Sequence, residues 1–132
     1  MITKRNCSLF FVLFCFLVCV PNIIAGWFGP DNFEECIQIN QKKSSSKLAA
    51  RAIHLACTKK FTEKTEIEYA NCIIEHVGNT ASDLGVRAIV EACANIYISG
   101  KDKKYSKCIL RNMPGIEVDM AARSIAISCR NE

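Results

Sequence analysis

Apolar residues recur along most of this chain at the three- to four-residue spacing of an amphipathic helix. The clearest stretch places six small or apolar side chains on one helical face: Leu48, Ala49, Ala52, Ile53, Ala56 and Cys57. Segments rich in serine, glycine or proline interrupt the pattern near residues 44–46, 78–82 and 113–115. The alternation typical of β-strands is weak throughout. The pattern therefore predicts an all-α protein whose helices are joined by short turns.

The same helix–turn–helix pattern occurs three times, at a period of 36 residues. In each copy an aromatic residue precedes a cysteine by three positions, and a second cysteine follows 21 positions after the first. Such an ungapped internal match indicates tandem repeats, and αα-hairpins of this length typically stack on one another. We therefore expect three stacked hairpins, at about 30–65, 66–101 and 102–132, in a short αα solenoid or bundle.

The second helix of each hairpin is expected to begin at a polar capping residue, because such a side chain accepts a hydrogen bond from a free backbone N–H. The candidate N-caps are Ser46 in the first copy, Ser82 or Asp83 in the second and Asp119 in the third.

The N-terminal segment differs from the repeats. Lys4 and Arg5 precede a charge-free apolar run over residues 7–20, which Pro21 ends, and Ala25 followed by Gly26 offers a cleavage point. The run is shorter than the roughly 20 residues that a spanning helix needs. We predict a signal peptide over 1–25 and a single helical-repeat domain over 26–132, exported to the periplasm or secreted. The alternative is an uncleaved segment that anchors the domain to the membrane.

Charge says little about partners. The chain has 17 basic and 13 acidic residues, a net charge of +4, and loss of Lys4 and Arg5 with the signal peptide lowers this to +2. Without a basic run, the charge gives no support for nucleic acid as a partner. Membrane contact is expected only if the N-terminal segment stays attached.

Three of the nine cysteines lie in the N-terminal segment. The six that remain are Cys36, Cys57, Cys72, Cys93, Cys108 and Cys129. An even set in a short exported chain predicts three disulfides. One bridge within each hairpin keeps the copies equivalent and is favoured. The alternative joins the last cysteine of one copy to the first of the next, and leaves Cys36 to pair with Cys129.

One arginine recurs away from the apolar face of every copy: Arg51, Arg87 and Arg123. The favoured interpretation is structural: i,i+4 ion pairs from Asp83 and Asp119 in the second and third copies, or bonds to loop carbonyls or to the next repeat. The first copy has Lys47 at that position, so the pair is not available there. The alternative is a ladder of guanidinium groups that binds an anionic partner.

Other candidate groups give weaker signals. Trp27 and Phe28 lie next to the expected cleavage point, where they would cover the apolar edge of the first hairpin or contact a partner or membrane. His54 and His76 share no helical spacing with further ligands, so no metal site is predicted. The chain has no recognisable nucleophile motif or phosphate loop, so we expect neither catalytic activity nor a cofactor.

The third copy resembles a short cysteine-bounded segment that recurs in bacterial exported or membrane proteins. The resemblance rests on Tyr105, Cys108, Ile109, Leu110, Gly115, Asp119, Ala121, Ala122, Arg123, Ile125 and Cys129. It implies an αα-hairpin in an exported protein and implies no activity. The period is also similar to that of Sel1-like cysteine-rich repeats, an analogy of architecture alone because their cysteines are spaced differently.

Repetition without a catalytic constellation favours a binding protein, because stacked hairpins present extended surfaces. Our leading expectation is an exported, non-catalytic module that binds another protein or a component of the cell envelope. The alternatives are a small-ligand or lipid carrier, which needs a continuous apolar cavity between hairpins, and a secreted inhibitor or effector.

Overall fold

The computed structural model describes residues 29–132, and the regular structure of this part is entirely helical. Six helices are present there: α1 Phe33–Gln41, α2 Lys47–Cys57, α3 Ile67–His76, α4 Asp83–Ala94, α5 Lys103–Asn112 and α6 Asp119–Arg130. They form three hairpins, α1–α2, α3–α4 and α5–α6, as predicted. None of these helices is long and apolar enough to cross a membrane. The predicted signal peptide, Trp27 and Phe28 lie outside the described residues.

Each hairpin is closed by its own disulfide. The bridges are Cys36–Cys57, Cys72–Cys93 and Cys108–Cys129, with Cα atoms 5.5 to 6.0 Å apart. The six cysteines are at most 4% exposed, so the bridges lie within the apolar core. The prediction of one bridge per hairpin is therefore confirmed, and the bridges indicate an oxidising environment.

The core consists largely of alanine, isoleucine and the bridged cysteines, because the apolar face of each second helix turns inward. Ala49, Ala52, Ile53, Ala56 and Cys57 of α2 are all buried. The equivalent isoleucines of the other two hairpins differ from each other, since Ile89 is fully buried and Ile125 is only partly buried. Ile53 and Ile89 lie on helices that pack against the first helix of the next hairpin, whereas no further hairpin among the described residues packs on α6.

The connections between hairpins repeat as closely as the helices do. The second helices continue into wider π-helical turns, Thr58–Glu63 and Asn95–Ser99, before the chain reverses. Each connection then holds two left-handed residues: Lys64 and Glu66 in the first, Gly100 and Asp102 in the second. These positions are 36 residues apart, so the two connections turn in the same way. The sequence pattern did not show this feature, because three of the four residues are not glycine.

Two of the three predicted helix caps are confirmed and one is wrong. Ser46 and Ser82 each accept a hydrogen bond from a backbone N–H of the helix they precede. The third helix of this type, α6, begins after Val118, whose side chain makes no capping bond, and Asp119 is its first helical residue. Asp119 turns instead toward the preceding hairpin, where its carboxylate accepts hydrogen bonds from the Ser82 hydroxyl at 2.6 Å and the Leu84 N–H at 3.2 Å.

Candidate binding site

The second and third hairpins are bonded to each other through their turns. The Ile116 carbonyl accepts the N–H groups of Ala81 and Ser82, and the Gly115 N–H donates to the Thr80 hydroxyl at 3.0 Å. The two bonds to Asp119 add to this set. Together these contacts hold α4 and α6 close to each other at their turn ends.

The turns of the first and second hairpins share fewer hydrogen bonds. Among the described residues one hydrogen bond links their turns, from the Ser45 N–H to the Gly78 carbonyl at 3.2 Å. At the other junction Ala81 bonds to Ile116, and the residues one repeat earlier are Ser45 and Thr80. Ser45 bonds to Gly78 instead of Thr80, so the first turn is offset by two residues. Asp83, the equivalent of Asp119, makes no side-chain hydrogen bond within this part of the chain.

The offset has a cause in the ends of the first helices. Val77 and Met113 follow α3 and α5 directly and are fully buried, so each anchors its turn to the core. The equivalent residue of the first hairpin is Gln41, which is polar and partly exposed. The first turn therefore lacks an apolar anchor, and α2 and α4 contact each other less extensively than α4 and α6 do.

A groove of about 380 Å³ lies at the junction of the first two hairpins, with α2 and α4 as its walls and α3 as its floor. From α2 it receives Leu48, Ala52 and Leu55, which share one helical face, and from α3 and α4 it receives Ile73 and Val90 among others. Eight of its thirteen lining residues are aliphatic, and four of the others are charged. Leu55, which belongs to this lining, is 56% exposed.

The second junction has an equivalent groove with different chemistry. It measures about 390 Å³ and is lined by Glu91, Asn95, Asp102, Tyr105 and Arg130. Glu91 takes the place of Leu55, and Arg130 takes the place of Ala94 in the first groove. The apolar character of the first groove is therefore a property of this junction and not of the repeat.

Two of the three repeated arginines line the apolar groove. Arg51 projects from α2 and Arg87 from α4, at equivalent positions on the two walls. Both are exposed, and neither forms an ion pair or side-chain hydrogen bond within residues 29–132. The third cation of the lining, Lys59, is engaged with Glu66 at 2.7 Å. The groove thus has two guanidinium groups at its lips that have no acidic partner among the described residues.

The i,i+4 ion pairs predicted for the repeated arginines do not form. The described residues contain no contact within 4 Å between Asp83 and Arg87 or between Asp119 and Arg123. The carboxylate of Asp119 is directed at the Ser82 hydroxyl instead, and this bond is the main reason that its pKa is lowered. The Leu84 N–H, Arg123 and Arg87 lower this pKa further. Arg123 lies on α6, outside the apolar groove.

The groove also perturbs one titratable group of its floor. Tyr69 is partly buried there, and its pKa is raised, first by burial and then by the nearby charge of Glu66. The phenol is therefore neutral at ordinary pH and leaves the arginines as the dominant charges of the groove.

A family of proteins described as four-cysteine protein VF_A0006-like matches the chain twice, over residues 13–93 and 59–132. This chain belongs to that family. Each match contains two complete hairpins with four bridged cysteines, and the hairpin closed by Cys72–Cys93 is common to both. The family pattern therefore fits the three hairpins in two overlapping ways. No curated protein and no solved structure matches the chain.

The structure gives His76 a role that was not predicted. Its Nδ1 lies 2.9 Å from the Cys72 carbonyl oxygen, and since a carbonyl only accepts, Nδ1 carries the proton. The equivalent residues Asn40 and Asn112 donate to the Cys36 and Cys108 carbonyls at the same distance. Alignment of the three copies at positions 40, 76 and 112 is the signal that would have found this contact.

His54 packs edge-to-face on Phe33, with ring centroids 5.6 Å apart. Within the described residues, neither histidine belongs to a cluster of side chains that could hold a metal ion. Both histidines therefore have structural contacts in this fold.

Proposed function

We propose that this protein is an exported, non-catalytic recognition protein that binds a partner protein through the groove between its first two hairpins. The observation that carries the proposal is the exposed apolar surface around Leu55, at a junction whose repeat-equivalent is polar. An apolar patch that is open to water costs free energy in the isolated protein, and such patches mark sites of association. The three buried disulfides stabilise the helices that present it.

The shape of the groove favours a protein over a small ligand. Ligand sites typically enclose 70–90% of their ligand, whereas the walls of this groove carry the exposed side chains of Leu55, Arg51 and Arg87. Its apolar lining nevertheless makes a carrier of small apolar molecules the second candidate. A secreted inhibitor or effector would use the same surface on a target outside the producing cell.

The chain itself suggests the variant that tests the proposal. Leu55→Glu copies the residue found at the equivalent position 91, so it is compatible with the repeat and changes only the chemistry of the groove. Ile127→Glu is the matched control, because Ile127 occupies the same position of the third copy and is 57% exposed, against 56% for Leu55.

The oxidised wild-type protein and both variants are used to capture proteins from envelope extract and culture medium. We expect the wild type and Ile127→Glu to retain the same protein, and Leu55→Glu to lose it. Equal capture by all three proteins, or loss of capture with Ile127→Glu alone, would show that the partner does not bind at the groove. Retention of fatty acids by the wild type, without any protein, would favour the carrier.

A further inference from the structure

We propose that the occupant of the groove is an amphipathic α-helix of the partner, with acidic residues on both sides of its apolar face. This inference rests on the proposed function, that the groove binds a protein, and adds the shape and charge of the segment that enters it.

The dimensions of the groove match a helix. On α2 the lining runs from Leu48 to Ala56, which corresponds to roughly 12 Å, or just over two turns, at 1.5 Å per residue. An amphipathic helix presents apolar anchors at i, i+3 or i+4, and i+7 over the same length. Because Leu55, Arg51 and Arg87 on the walls are exposed to water, a helix in the groove keeps its outer face in water, whereas an acyl chain is apolar all round.

The charges at the lips specify the flanks of that helix. Arg51 and Arg87 stand at equivalent positions of the two walls, so a helix in the groove passes between them. Their guanidinium groups offer forked donors that suit carboxylates. The lining contains one acidic residue, Glu91, and three basic residues, the two arginines and Lys59. A partner helix with glutamate or aspartate on both sides of its apolar stripe therefore complements the groove.

The second junction shows how this fold accommodates such a carboxylate. There the chain supplies its own carboxylate, Asp119, which accepts hydrogen bonds at the start of α4. The positive charges of Arg87 and Arg123 are close enough to lower its pKa. At the first junction the equivalent Asp83 makes no hydrogen bond and no ion pair within the described residues.

Two synthetic helical peptides with the same apolar stripe test the inference, one flanked by glutamates and the other by lysines. Binding to the oxidised protein is followed by NMR through the methyl groups of Leu55, Ile73 and Val90. We expect the glutamate peptide to bind at least tenfold more tightly than the lysine peptide. The double variant Arg51→Glu/Arg87→Glu should invert this preference, while Arg123→Glu, on α6, should preserve it.

The outcomes separate this inference from the proposed function. Equal binding of the two peptides, or tighter binding of the lysine peptide to the wild type, would refute the acidic flanks. Binding of a medium-chain fatty acid, with no binding of either peptide, would refute the helix. If Leu55→Glu still abolishes capture of a protein in those cases, the groove remains a binding site and only its occupant is wrong.

Discussion

Each hairpin can be released from its disulfide by changing both of its cysteines to alanine, and the three bridges offer three matched experiments. Every bridge spans 21 residues, so the loop-closure model assigns each the same stabilisation, about 3 kcal/mol at 25 °C. Small domains are typically stable by about 5–15 kcal/mol, so each loss is a large share of the total. In thermal terms it corresponds to a fall in Tm of about 12–24 °C.

Because the three loops are equally long, any difference in stability between the three variants depends on the position of the hairpin in the stack. Cys72 and Cys93 lie in the hairpin that contacts both others, so their replacement should disturb the whole stack in one transition. Cys36 and Cys57 lie in the first hairpin, whose turn shares fewer hydrogen bonds with its neighbour, so their replacement should unfold that hairpin first and leave the other two intact. Urea unfolding of the oxidised variants, followed by far-UV circular dichroism, measures both effects. Losses below about 1 kcal/mol in all three variants would refute the reasoning.

Three further predictions concern the hydrogen bonds of Asp119, the apolar anchors of the turns and the N-terminal segment. Asp119→Asn should reduce hydrogen-exchange protection at the start of α4, while Asp83→Asn should not. The contacts of Asp119 lower the pKa of its carboxyl in the folded protein, so their stabilisation is present above the ordinary carboxyl pKa range and is lost as pH falls through the folded pKa. The free energies of unfolding of the wild type and Asp119→Asn, measured against pH, should therefore converge in acid. Curves that stay parallel would argue against the contact. Met113→Ala should cost about 2–5 kcal/mol in urea unfolding, whereas Gln41→Ala at the equivalent position should cost less than about 0.5 kcal/mol; similar losses would contradict the anchoring role. Intact-mass analysis of the exported protein should show a chain that begins at Gly26, and a full-length chain would support the anchor instead.

The fold was predictable because every local signal repeats. Each copy repeats the apolar positions, the two cysteines and the turn residues at the same spacing. A wrong interpretation of one copy is therefore corrected by comparison with the other two. The pairing Cys36–Cys57 followed from the equivalence of the copies. The same reasoning suggested the caps Ser46 and Ser82, whose side chains act on their own helices.

The groove was not predictable by that reasoning, because it arises where the copies differ. Gln41 replaces the buried anchors Val77 and Met113, the first turn is offset, and the junction that results is open and apolar. Asp119 was assigned to its own helix because sequence spacing reports local partners, whereas its actual partners lie in the preceding hairpin. The sequence differences between equivalent positions of the copies, and not only the identities, are the signal that points to the groove.

We propose that the groove between the first two hairpins, and no other face of the stack, contacts the partner. A photoreactive amino acid placed at Leu55, and in a second protein at Ile127, tests this in the intact cell envelope, since the two positions are repeat-equivalent and equally exposed. After irradiation, we predict a covalent adduct with one protein from position 55 and none from position 127. The same adduct from both positions, or an adduct from position 127 alone, would contradict the account.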